Sequence, residues 1–180
     1  MEAELPKDTH EYEFGLKKLS PEQEASIMQN AHTACCYARD IIKGRWPEAE
    51  PIIMQDGCHA CQYAIDVIKG RWPEAEPTIM QNAYYAYSYA RYAVHGRWPE
   101  AESTIIQYAS YIFCYARDVI QGRWLEAEPI VMQDAYHAYR YAIEVIKGRW
   151  PEAEETIKAS DYAVDYELFI AALETKNKVE

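Results

Sequence analysis

The chain has 180 residues, with 29 acidic against 18 basic side chains and a formal net charge of −11. Such a balance disfavours general binding to nucleic acid or to anionic membranes, which rests on clustered lysine and arginine. No apolar run approaches the roughly 20 residues that a membrane helix needs. Met1-Glu2-Ala3-Glu4 lacks the basic-then-apolar layout of a leader, and five cysteines, an odd number at non-framework spacing, fit a reducing compartment. The expected location is the cytoplasm, with no membrane partner.

Residues 1–15 read as a polar lead-in, since Pro6 and Gly15 argue against a long helix there. A repeat follows. Gly44-Arg45-Trp46-Pro47-Glu48-Ala49-Glu50 returns from Gly70, Gly96, Gly122 and Gly148 at a constant step of 26 residues, with Leu125 in place of one proline. Pro21-Glu22-Gln23-Glu24 is a degenerate earlier copy at the same step. Self-similarity at a fixed period marks a repeat architecture. In the copy from Gly44, that glycine is suited to the left-handed conformation that ends a helix, and Pro47 to the first position of the next. The pattern predicts a short helix from Pro47 to about Gln55, burying Ala49, Ile52 and Ile53. Asp56 is a good N-cap for a second helix running from Gly57 to Lys69, and Asn30, Asn82 and Asp134 hold the same slot. Ala60, Tyr63, Ala64, Val67 and Ile68 form its apolar stripe.

The copy from Gly96 is the least regular, with Tyr108 at the cap position and Ile112 in place of a small alanine. The copy from Gly148 loses register after Lys158. Its second helix is expected over Asp161 to about Leu173, closed by Phe169, Ile170 and Leu173. Glu167, Glu174, Lys176 and Lys178 would supply the polar outer face of a terminal repeat. The fold class is therefore all-α: an α-solenoid of about six helix–turn–helix copies over 16–173, followed by a tail at 174–180 that frays.

Arg-Trp-Pro-Glu-Ala-Glu together with Tyr-Ala-x-x-Val-Ile-x-Gly resembles a family of 26-residue repeats encoded by bacteriophages and large viruses. The resemblance covers roughly residues 19–158. It implies a helical array of viral origin and brings no settled biochemical activity with it.

Constant positions of a repeat mostly encode stacking. Arg45, Trp46, Arg71, Trp72, Arg97, Trp98, Arg123, Trp124, Arg149 and Trp150 are therefore assigned to the joints between copies, each arginine accompanied by two glutamates. Positions that differ between copies carry the functional expectation. On the second helices, the face opposite the stripe holds Tyr84, Ser88, Arg91 and Tyr92, then Arg117, then Tyr136 and Arg140. Tyrosine and arginine are the side chains that anchor binding hot spots. Tyr85, Tyr87, Tyr111 and Tyr139, on the flanks of the stripe, read as packing.

His32, Cys35, Cys58 and Cys61 would make an acceptable zinc ligand set if adjacent helices brought them together. Helix spacing of about 8–10 Å is long for that convergence, and ordinary buried thiols are the preferred reading, so no metal or cofactor is expected. Phosphate-cradling glycine loops and nucleophile or metalloprotease motifs are lacking, so catalysis has no support in the sequence. The expected function is a non-enzymatic viral repeat protein that binds a host protein, inhibiting a host enzyme or defence complex, with an acidic surface able to mimic nucleic acid. One alternative is sequestration of a small nucleotide signal by arginine and tyrosine. A weaker one is single-stranded RNA binding, which the negative charge disfavours. An imperfect terminal cap would add self-association.

Overall fold

A computed structural model describes residues 19–176 of the chain, and every regular element among them is helical. The lead-in at 1–15 and the last four residues, Lys178 included, lie outside the described residues. The helices recur in pairs at the sequence period, so the fold is an all-α repeat solenoid. The chain divides into two compact units, one reaching Val94 and one starting at His95.

The first unit holds three pairs. They are α1 (Pro21–Ile27) with α2 (Ala31–Tyr37), α3 (Glu50–Ile53) with α4 (Gly57–Tyr63), and α5 (Glu76–Ile79) with α6 (Ala83–Tyr89). The second helices α2, α4 and α6 pack side by side. Ala34, Ala60 and Ala86 are fully buried along them, and their small side chains permit that close approach. The second unit repeats the plan with α7 (Pro99–Ile105) and α8 (Ala109–Tyr115), α9 (Glu128–Val131) and α10 (Ala135–Tyr141), and α11 (Glu154–Lys158) and α12 (Ala163–Lys176).

The first helix of a pair is shorter than expected in three copies, and a second proline is the reason. Pro51, Pro77 and Pro129 have no N–H to give to a carbonyl one turn earlier, so helical bonding starts only at Glu50, Glu76 and Glu128. Where that position is Ala25 or Ser103, the helix starts at Pro21 or Pro99 and runs for seven residues.

The second helix ends differently from the expected plan. After Tyr63 the chain widens into one π-helical turn, Ala64–Ile68, and the same turn follows Tyr37, Tyr89, Tyr115 and Tyr141. The wider turn rotates Val67 and Ile68 away from the stripe, so they are half-buried while Ala60, Tyr63 and Ala64 are fully buried. The left-handed residue is the one before each glycine: Lys43, Lys69, His95, Gln121 and Lys147 all have φ of 56–57°. Four of the five carry a side chain that suits the negative end of a helix dipole, which offsets part of the conformational cost.

N-caps follow the sequence. Asn30, Asn82, Asp56 and Asp134 each accept backbone N–H bonds from the first turn, whereas Tyr108 accepts none. Tyr108→Asn is therefore expected to stabilise the second unit by about 0.5–1 kcal/mol, read as a raised urea midpoint at unchanged slope.

At the C-terminal end, α12 continues to Lys176, three residues beyond the expected helix end near Leu173. Its outer face is mixed rather than polar. Val164 and Leu168 are 68% and 64% exposed, beside the exposed Glu167, Glu174 and Lys176. Leu168 and Val164 fall outside the group Phe169, Ile170 and Leu173 because helical spacing turns them outward.

Candidate functional site

The repeated motif folds into a closed polar network at each joint. The Arg45 guanidinium forks onto Glu50, with Nε to Oε1 and Nη2 to Oε2 both at 2.8 Å. Tyr63, reaching back from α4 of the same copy, donates its hydroxyl to Glu50 Oε1 at 3.1 Å and accepts the Trp46 backbone N–H at 2.6 Å. Its ring lies against Trp72 of the following copy, with centroids 5.1 Å apart. One tyrosine thus ties its own motif to the next one. The pattern recurs at Arg71, Glu76, Tyr89 and the Trp72 amide. It recurs again at Arg97, Glu102, Tyr115 and the Trp98 amide. Arg123 likewise forks onto Glu128, with Tyr141 accepting the Trp124 amide and lying against the Trp150 ring at 5.1 Å. In the last copy one residue is lost from the spacing, and Tyr166 accepts the Trp150 amide while Arg149 reaches Glu154.

Glu50, Glu76 and Glu128 are buried at 6–9% exposure, and the arginines lie over them with about half their side chains in solvent. The Arg45 fork holds the Glu50 carboxyl below its usual range, and the His59 backbone N–H does the same for Asp56. Burial pushes the Tyr63 and Tyr141 hydroxyls up to about 12. These shifts have opposite consequences at the two ends of the pH scale. The depressed carboxyls contribute stability above their unfolded values near 4, and it is lost as pH falls through their folded ones. The raised tyrosines contribute stability below about pH 10 that is lost as pH rises toward 12. The thermal midpoint is expected to fall in both directions, and absorbance at 295 nm to show the joint tyrosines ionising only as the helices melt.

Variable positions tell a different story. In the first unit, Tyr84 is 53% and Tyr92 47% exposed. The Arg91 guanidinium sits 4.9 Å above the Tyr92 ring and donates to the Tyr87 hydroxyl at 2.6 Å. Ser88 is only 8% exposed, which corrects its place on an open face. The corresponding Cys36, Gln62, Cys114 and Arg140 are buried or half-buried too, because these second helices pack against a neighbouring one within their own unit.

In the second unit, Arg117, Tyr136 and Arg140 converge on one cluster. Arg117 forks onto Asp118 and reaches Glu144 Oε2 at 3.2 Å, while Arg140 donates to Glu144 Oε1 and to the Tyr136 hydroxyl. Both guanidiniums lie over the Phe113 ring, at 4.8 and 5.1 Å. Tyr136, 42% exposed, leans on Tyr162, which stacks on Tyr139 at 5.3 Å. Phe113, Asp118 and Glu144 are the members sequence reasoning missed. The four-residue spacing of Arg140 and Glu144 on one helix face was the available signal.

The four candidate zinc ligands do not come together. Cys35 Sγ and Cys61 Sγ contact the backbone carbonyls of His59 and Tyr85, at 3.8 and 3.5 Å. Burial pushes both thiols up to about 12, the opposite of a reactive or metal-ready thiolate. His32 Nδ1 instead meets His59 Nε2 at 3.1 Å, and His59 Nδ1 meets Asp56 at 2.8 Å. Among the described residues no group of three or more histidine, cysteine or acidic side chains is placed to hold a metal ion, and no helix is long and apolar enough to cross a membrane. Comparison with protein-family models, with curated proteins and with solved structures returned no match.

Proposed function

We propose that this chain is a non-enzymatic helical-repeat scaffold that binds a protein partner through the variable aromatic positions of its second helices, with Tyr84 and Tyr92 as anchors. One observation carries the reading. The constant arginines, tryptophans and second glutamate of each motif are consumed by the joints, whereas Tyr84, Tyr92 and Tyr136 stand exposed at positions that differ from copy to copy. Large amphipathic rings held on a rigid helix lose little entropy on binding, which is why such side chains dominate hot spots. Resemblance to repeat proteins of phages and large viruses points to a host protein as the partner, such as a host enzyme or defence complex. The acidic surface would then compete for a site that normally receives nucleic acid.

Nucleotide sequestration fits less well, because the arginines that would grip phosphate are already committed. Arg117 is held by Asp118 and Glu144, and Arg140 by Glu144. The test is affinity capture from host lysate with the unaltered chain and with Tyr84→Ala/Tyr92→Ala. The double variant should keep its helical signal at 222 nm and lose its specific partner, each hot-spot ring being worth roughly 2 kcal/mol or more. Equal recovery by both proteins would defeat the assignment. A thermal shift with nucleotides alone would favour the nucleotide reading instead.

A further inference from the structure

The copy that begins the first unit has the joint network without its arginine. Elsewhere the guanidinium is forked by one carboxylate and feels the charge of a second. Arg45 is forked by Glu50 five residues on, with Glu74 of the following copy adding to its field, and Arg97 and Arg123 have the same company in Glu102 with Glu126 and Glu128 with Glu152. One step of 26 residues before Arg45 stands Leu19, which offers no fork. The rest of the receiver is present. Glu24 occupies the Glu50 position and already accepts the Tyr37 hydroxyl on Oε1 at 2.9 Å, as Glu50 accepts Tyr63. The Leu19 backbone N–H takes the place of the tryptophan amide on that hydroxyl, at 2.9 Å. No arginine or lysine pairs with Glu24 among the described residues.

A cavity of about 650 Å³ opens at this point, between α1 and the Arg45–Glu48 turn. Its size is within the range of small-ligand sites. Glu24 and Glu48 both line it, and they are the two carboxylates that the register assigns to the missing arginine. Met28, Ile41, Trp46 and Pro47 supply apolar wall for the methylenes of a long cationic side chain. Arg45 also borders the space, but its guanidinium is engaged by Glu50.

We propose that this cavity is a guanidinium-binding site, taking an arginine side chain on Glu24 and Glu48 in the way the joints of the other copies take their own arginines. The site lies apart from Tyr84 and Tyr92 and does not depend on the tyrosine reading. A planar fork matches a carboxylate through two parallel hydrogen bonds, which an ammonium or a neutral urea cannot reproduce.

The test is an NMR titration of the full chain, following the Trp46 indole and the Glu24 and Glu48 amides. N-acetyl-arginine amide should shift these signals saturably, and N-acetyl-citrulline amide, of the same shape but uncharged, should leave them in place. Glu24→Gln keeps an acceptor for Tyr37, so it should retain the fold and weaken binding roughly tenfold or more. Glu48→Gln, on an exposed residue, should weaken it less. Free arginine and acetyl-Gly-Arg-Gly-amide separate the two sources of the ligand: tighter binding of the free amino acid indicates a small metabolite, tighter binding of the peptide an arginine on a protein. No saturable shift with arginine, equal shifts with citrulline, or undiminished binding in a folded Glu24→Gln chain would each overturn the proposal.

Discussion

Trp72→Ala is expected to cost about 3–5 kcal/mol. Trp72 is 1% exposed, its ring lies 5.1 Å from that of Tyr63, and its backbone N–H is held by Tyr89. Truncation removes the bulk that fills the joint between two copies, and the surrounding helices are fixed by their own caps and cannot collapse fully into the gap. Against a total stability of about 5–15 kcal/mol, that loss removes from about a fifth to all of the margin. Urea denaturation followed at 222 nm should show an early transition for the affected unit. Trp72→Phe, which keeps an aromatic ring on Tyr63, should show a smaller shift in the same direction. An alanine variant with an unchanged midpoint would mean that the motif does not build the joint.

Tyr89→Phe isolates the polar half of the joint. The ring stays, but the hydroxyl that accepts the Trp72 N–H at 2.5 Å and donates to Glu76 Oε1 at 2.9 Å is gone. Glu76 keeps its Arg71 fork, so the main loss is a buried amide deprived of its acceptor, worth about 1–3 kcal/mol. The high-pH limb should change as well, because burial pushes the Tyr89 hydroxyl up and its removal deletes one group that destabilises the fold on ionising. Tyr92→Phe, on a ring 47% exposed, should stay within about 0.5 kcal/mol of the unaltered chain. Similar losses from both tyrosines would contradict the division into joint and surface.

Most of the fold is legible in the residues because its punctuation is explicit. Asn30, Asp56, Asn82 and Asp134 announce four of the second helices, and a glycine closes every copy but the last at one constant step. Features that depend on a missing donor or on winding are harder to see. Pro51 shortens α3 through an absent N–H, and the π turn at Ala64–Ile68 uses alanine, isoleucine and valine that an α-helix accepts equally well. The left-handed position falls on Lys69 rather than on Gly70 because the extra residue of that turn moves the helix end by one. The candidate site is legible in part. A wheel drawn for one helix places Ser88 outside, since it takes no account of the neighbouring helices that bury it. The same wheel turns Tyr84 and Tyr92 away from the stripe, and about half of each ring is exposed. The cluster as a whole escapes notice because the Arg117–Glu144 and Arg140–Phe113 contacts join positions a full copy apart.

The most direct test of the account is photo-crosslinking with a benzophenone side chain installed one site at a time in cell lysate. Positions 84 and 92 should give a common crosslinked partner, whereas positions 74 and 100, in the exposed glutamates of two motif copies, should give none. Crosslinks confined to the motif positions, or identical at all four, would contradict the claim that Arg-Trp-Pro-Glu-Ala-Glu builds the array while the variable tyrosines meet the partner.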